Sequence, residues 1–201
     1  MHPAIDLLLT RRSVPPRLMT APAPTAAEVE TMLTIAARVP DHGRAVPWRF
    51  IVIGPEGGAN LGEVIAATYQ ADHPDAPAET IESERSRLLR APLVIAVISH
   101  THAHPKAPEW EQILSAGAAA MSLVVAANAL GYCANWHTEW YAYDRRVTSE
   151  LGLDNTERVA GFVHIGTPAE QPLDRPRPSL ADVVTRYGST GVAPYAVGGD
   201  E

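Results

Sequence analysis

Three clusters of side chains in this chain could do chemistry. Arg11-Arg12-Ser13 sets two guanidiniums and a hydroxyl in succession, just after a short apolar-periodic segment. Such a set can grip a phosphate through several charge-assisted hydrogen bonds. The same arginines also suit the solvated end of a helix, where cations complement the dipole. The spacing alone leaves both readings open. The second cluster is Arg38-Val39-Pro40-Asp41-His42, running through Gly43-Arg44-Ala45-Val46-Pro47-Trp48-Arg49-Phe50 into Ile51-Val52-Ile53. Cations, an imidazole and an aromatic held between prolines suit the rim of a planar or anionic ligand, or equally a Pro-bounded turn whose Trp48 caps the core. The third is His100-Thr101-His102-Ala103-His104. Alternating imidazoles can converge on zinc or copper, but no carboxylate supports them, and the reading kept is a polar loop without metal.

The elements that must position these residues are legible as patterns. A first helix is expected over about residues 3–11, with Ile5, Leu8 and Leu9 on one face and Pro15-Pro16 preventing its continuation. Thr25-Ala26-Ala27-Glu28 has capping-box spacing ahead of Val29, Met32, Leu33 and Ala36, so a second helix runs towards Pro40. Phe50–Ile53, Leu93–Ile98 and Val159–Ile165 are continuous apolar runs, read as buried strands. Leu61, Val64, Ile65 and Thr68 mark a third helix, and Gln70 to Ala78 reads as a mobile connection or lid. A polar helix follows it. Trp110 to Leu130 is a long central helix closed by Gly131. Ala134-Asn135-Trp136 is expected to be extended and Asp144 to Leu151 helical, while residues beyond Pro172 form an extended arm with a loose tail after about 188.

Composition narrows the function. The 201 residues are 46% apolar, enough for one domain with a real core. The formal charge of -7 argues against nucleic acid as a partner, and makes any basic cluster local. A single Cys133 excludes an intrachain disulfide and a Cys-based zinc site, and fits a reducing cytoplasm. No signal peptide is apparent at the start. Ile113 to Leu130 is apolar, but its alanines, interrupted by Ser115, Ser122 and Asn128, fit a buried helix better than a membrane span. No G-x-G-x-x-G or G-x-x-x-x-G-K-[ST] is present, and the strands are too few for a doubly wound nucleotide fold.

Arg-Arg-Ser after a short helix, then Arg38-x-Pro-Asp-His-x-x-x-x-Pro-Trp48-x-Phe before a strand, resembles the nitroreductase family, closest to its minimal bacterial branch. Trp110-Glu111-Gln112 with Ser115-Ala116-Gly117, then Gly131, Trp136-His137-Thr138 and Gly161-Phe162-x-x-Ile165-Gly166-Thr167-Pro168 follow in the same order. The resemblance spans residues from about 5 to 187. It implies an α+β fold: a three-layer α/β/α sandwich with a mixed, mostly antiparallel sheet and an exchanged C-terminal arm. The chain would form one domain, 1–201, and a homodimer binding FMN at the subunit interface.

Carried over to this chain, Arg11, Arg12 and Ser13 would hold the FMN phosphate and the pyrimidine side of the ring. Arg38 and His42 match flavin-site positions, with His42 reaching the FMN held mainly by the other subunit. Ala126, Ala127, Asn128, Ala129, Leu130 and Gly131, with Trp136, His137 and Thr138, would border the ring and ribityl chain. No acid–base dyad is visible, because flavin carries the chemistry; a backbone N–H from the Trp136–Glu139 turn would meet its reactive nitrogen. The implied reaction is ping-pong, from NAD(P)H to a nitroaromatic, quinone or related small acceptor. Alternatives on the same fold are flavin fragmentation, reductive dehalogenation, and flavin storage or sensing. One departure stands out. The branch has Trp-Arg-Ser/Thr-Gly where this chain has Trp136-His137-Thr138-Glu139, which exchanges a permanent cation for a titratable ring and removes a glycine.

Overall fold

The computed structural model describes residues 2–170, 172–188 and 191–194. Helix α1 (Pro3–Thr10) opens the chain, and β1 (Met19–Thr20) follows the Pro15-Pro16 break. Helix α2 (Ala26–Ala36) starts at the expected capping box: Thr25 Oγ1 accepts from the Glu28 N–H at 3.3 Å, and the Thr25 N–H donates back to Glu28 Oε2 at 2.8 Å. Strand β2 (Trp48–Ile53) leads directly into α3 (Pro55–Asp72) and α4 (Ala78–Arg85). Then come β3 (Leu93–His100), α5 (Glu109–Ala129), β4 (Cys133–His137), α6 (Arg145–Glu150) and β5 (Glu157–Pro168). Helix α7 (Leu180–Val183) and the hairpin of β6 (Thr185–Gly188) and β7 (Gly191–Pro194) complete the described chain.

Strands β2, β3, β5 and β4 pair in that order, and β1 pairs with the last residues of β5; every strand pairing is antiparallel. The parallel element is an isolated bridge between Ser13 and Ala134. Alternation along β3 explains its unbroken apolar run. Leu93, Ile95 and Val97 point into a core shared with α2 and α5, whereas Val94, Ala96 and Ile98 point into a second core with residues of α3 and α6. Helices therefore cover both faces, and the three layers expected from the sequence are present.

Helix α5 carries the site's geometry. It is 21 residues long with a mean hydropathy of 1.4 over its most apolar stretch, half of which is buried. Ala116, Ala119, Ala120, Leu123 and Ala127 pack on the sheet and α2, so it serves as the core helix. Gly131 ends it with φ of 90°, a conformation open to glycine without a Cβ penalty.

Three expectations need correction. The connection expected over Gln70 to Ala78 is shorter than read: α3 runs on to Asp72 and α4 begins at Ala78, which leaves residues 73–77 as the turn between them. The tail expected to be loose after about 188 contains β7, paired with β6 from Thr185↔Pro194 to Gly188↔Gly191; the rest of that expectation lies outside the described residues. The third strand is longer than its apolar core, because Glu157 and Arg158 also pair with β3.

Candidate functional site

Arg11 is the first residue after α1, and from there the chain runs extended beside β4. The Val14 N–H donates to the Ala134 carbonyl, and Asn135 Nδ2 donates to the Val14 carbonyl at 3.0 Å. This course turns Arg11 and Arg12 into a cavity of about 200 Å³ at the C-terminal end of α5, with Asn128, Gly131, Tyr132 and Cys133 among its walls. Ser13 lies next to it and is exposed.

The cavity holds more positive charge than its surroundings answer. Arg12 Nη1 meets Asp174 at 2.9 Å. Arg11 has no carboxylate among its charged neighbours: its pKa is lowered, first by burial and then by Arg177, Arg12 and Arg175. The Nε atoms of Arg11 and Arg12 and Oδ1 of Asn128 are buried without a hydrogen-bond partner among the described residues. Buried donors of this kind normally find an acceptor. An anion bearing several acceptor oxygens would satisfy both arginines and relieve the mutual repulsion of the guanidiniums. Cys133 forms part of the wall as an inert thiol; it donates to the Gly166 carbonyl at 3.1 Å, and burial pushes its pKa up.

The second cluster lies at the other end of α5. The Ser115 hydroxyl donates to the Pro40 carbonyl at 2.6 Å and accepts from Trp48 Nε1 at 3.1 Å, which ties the loop to the helix. Gly43, Arg44 and Val46 all have left-handed backbones, with φ of 69°, 58° and 49°. Both Asp41 carboxylate oxygens take the Val46 N–H at 3.0 Å. His42 lines a cavity of about 300 Å³ with Pro40, Glu111, Leu114, Ser115 and Ala118. Arg38 is exposed just upstream. From Ser115 to Asn128 is thirteen residues, or about 20 Å of helix at 1.5 Å per residue, so one chain does not bring Arg38 and His42 to Arg11 and Arg12.

Strand β4 divides Trp136-His137-Thr138. Trp136 faces α5, its ring crossing the Cα of Gly161 and reaching Gly117, with Nε1 donating to the Ala160 carbonyl at 3.1 Å. His137 points to the opposite face. Its ring stacks on buried His164 with centroids 4.6 Å apart, and Nε2 lies 3.7 Å from Glu139. Burial, ahead of its charged neighbours, lowers the His137 pKa. Glu139, which stands where the branch has glycine, also pairs with Arg87 at 2.6 Å. Thr138 Oγ1 accepts from the Tyr143 hydroxyl at 2.7 Å, and the N–H groups of Thr138 and Glu139 find no acceptor among the described residues. Of the α5 positions, Ala126 and Ala127 pack in the core, whereas Asn128, Ala129, Leu130 and Gly131 reach the surface or the cavity.

The histidine loop has a different job. Buried Gln112 holds it, accepting from the His102 N–H and donating to the carbonyls of His102 and Ala107, while His104 Nδ1 accepts from the N–H groups of Lys106 and Ala107. Among the described residues, no group of three or more His, Cys, Asp or Glu is arranged to hold a metal.

Sequence reasoning missed Arg175, Arg177 and Glu111 as site residues. The first two carry a signal: Arg175-Pro176-Arg177-Pro178 alternates guanidiniums with prolines in an extended arm. Glu111 stood in the Trp110-Glu111-Gln112 motif, but its meeting with His42 is tertiary and left no mark in the sequence.

An antiparallel sheet between helix layers is a fold shared with solved structures of one class. A nitroreductase-like family protein from Bacillus cereus has a TM-score of 0.75 and 21% identity, covering 92% of this chain and 95% of its own. A nitroreductase with bound FMN from Bacteroides fragilis has a TM-score of 0.69 and 19% identity, covering 92% and 99%. The chain belongs to the nitroreductase family, whose profile matches residues 8–167. It is 34% identical over 165 residues to "Putative NAD(P)H nitroreductase YdjA" of Escherichia coli (strain K12), covering 82% of this chain and 88% of that one.

Proposed function

We propose that the chain is an FMN-dependent oxidoreductase that takes electrons from NAD(P)H and delivers them, in ping-pong order, to nitroaromatics, quinones or related small acceptors. The observation that carries this reading is the cavity of Arg11 and Arg12, whose buried Nε atoms, like Asn128 Oδ1 beside them, lack partners among the described residues. Family membership and the relative named as an NAD(P)H nitroreductase support it.

FMN, when bound, supplies the hydride and electron chemistry. Arg11, Arg12 and Ser13 hold its phosphate and pyrimidine side, with Arg175 and Arg177 adding positive charge. Cations so placed would favour electron uptake by the bound group. Asn128 to Gly131 and Trp136 to Thr138 border the ring and ribityl chain, and the unclaimed N–H groups of Thr138 and Glu139 are free to donate to it. His137 contributes through its backbone, because its ring lies on the other face of the sheet.

The working unit in this reading is a homodimer. A two-fold axis that crosses α5 on its copy antiparallel sets Arg38 and His42 of one subunit beside Arg11 and Arg12 of the other. The exposed face of α5 (Trp110, Ile113, Leu114) and apolar residues of α1 (Ile5, Leu8, Leu9) supply the contact surface. Exposed Leu173, Leu180, Val183 and Tyr187 of the arm suit its exchange onto the partner. The whole chain, 1–201, acts as one flavin-binding unit in the cytoplasm, without nucleic acid or membrane partners.

Visible absorption of the purified protein, recorded before and after anaerobic NADH or NADPH, tests the reading. A flavin spectrum that bleaches with either donor is expected. A colourless protein that takes up no added FMN, or a flavin that stays oxidised with both donors, refutes it.

A further inference from the structure

Resting on the flavin reading above, we infer that Glu111 is a positioning residue for His42, fixing which ring nitrogen the imidazole presents to the cavity on the exposed half of α5. His42 Nδ1 lies 2.7 Å from Glu111 Oε2. An ionised carboxylate only accepts, so Nδ1 carries the hydrogen and Nε2 is left for a ligand. His42 Nε2 has no partner among the described residues. Glu111 stands in the first turn of α5, where the helix dipole favours an anion. Both residues line the cavity of about 300 Å³, whose other walls are Pro40, Leu114, Ser115 and Ala118.

The loop that carries His42 is held more firmly than a surface ion pair requires. The left-handed backbones of Gly43, Arg44 and β-branched Val46 are kept by the Asp41 carboxylate, by Ser115 on Pro40, and by the His104 ring against Gly43. The side chains of His42 and Glu111 are 55% and 47% exposed, and pairs so placed contribute little stability by themselves. A fixed direction for one ring nitrogen is what such scaffolding yields. Nε2 accepts when the ring is neutral and donates when it is protonated, and in both states it occupies the same point. In the proposed dimer that point would serve the flavin of the other subunit.

Long-range nitrogen–proton NMR of the histidine rings, with FMN titrations read by flavin fluorescence, tests this. In the wild type His42 is expected to carry its hydrogen on Nδ1. Glu111→Leu should move it towards Nε2 and weaken FMN binding about tenfold, the change expected when one charge-assisted hydrogen bond is misdirected. Glu111→Gln, whose amide oxygen still accepts from Nδ1, should keep both the tautomer and most of the affinity. In a His42→Ala background, Glu111→Leu should add no further loss. A wild-type tautomer in Glu111→Leu, unchanged FMN affinity, or an equal loss with and without His42 overturns the inference. Failure of the wild type to bind FMN overturns the flavin reading instead, and the tautomer measurement still decides whether Glu111 orients His42.

Discussion

Arg11 carries the sharpest residue-level consequence. Its guanidinium sits among like charges, with a buried Nε that has no partner among the described residues, so it gains most when an anion arrives. Arg11→Ala removes at least one hydrogen bond to a charged group, each worth about 1.5–3 kcal/mol. FMN affinity should fall roughly tenfold to a hundredfold, as read by fluorescence titration or by flavin loss on dilution. His164 gives a second prediction, about stability. It is fully buried, both ring nitrogens lack partners among the described residues, and burial, with His137 and Arg90, holds its pKa down at about 3. Above a pH of roughly 6.5, the free-imidazole value, the ring is neutral in both the folded and unfolded states and contributes no pH dependence. Between that value and about 3 only the unfolded state takes the proton, so stability falls by about 1.4 kcal/mol per pH unit as acid is added. His164→Leu should flatten this limb in denaturant titrations at pH 7.5 and 5.5. A wild-type slope in the variant would assign the acid sensitivity elsewhere.

Among the elements, α3 shows how glycine can hide a helix while making its packing work. A Cβ at Gly62 would collide with the Arg85 carbonyl oxygen at the end of α4, whereas one at Gly57 would make ordinary contact with Ile53 at 3.5 Å. Gly62→Ala should therefore cost about 1–3 kcal/mol through forced backbone movement. Gly57→Ala should stabilise by up to about 1 kcal/mol, because alanine is the better helix former. Thermal melts of the two variants separate packing from propensity. The same glycines explain why the sequence marked only Leu61 to Thr68 as helical. Capping chemistry is local, so α2 was legible from Thr25 and Glu28, and α5 from its length and Gly131. Continuous apolar runs exposed the three long strands because both sheet faces are covered. The two-residue β1 and the β6–β7 hairpin left no periodic trace. In the site, Arg11 and Arg12 were readable as adjacent cations, while the side of the sheet taken by His137 depended on the register of β4 with β5, set by Asn135↔His164 and His137↔Phe162.

For the whole molecule, the exposed apolar face of α5 is the feature to challenge. Leu114 is 53% exposed beside Ile113 and Trp110. Leu114→Glu should convert the proposed dimer to a folded monomer by light scattering and abolish FMN retention, although no cation of the Arg11 cavity is touched. A monomeric wild type would end the two-subunit reading. The length of α5 has a consequence in the language of complementation. In the two-subunit reading, with about 20 Å of helix between the two half-sites, each chain would give its arginines to one cleft and its His42 to the other. Arg11→Ala and His42→Ala subunits, each defective alone, should therefore rescue one another when unfolded and refolded together. A mixed dimer gathers both lesions in one cleft and leaves the other wild type. Half of its sites should then bind FMN at wild-type affinity, which a site built within one chain could not achieve.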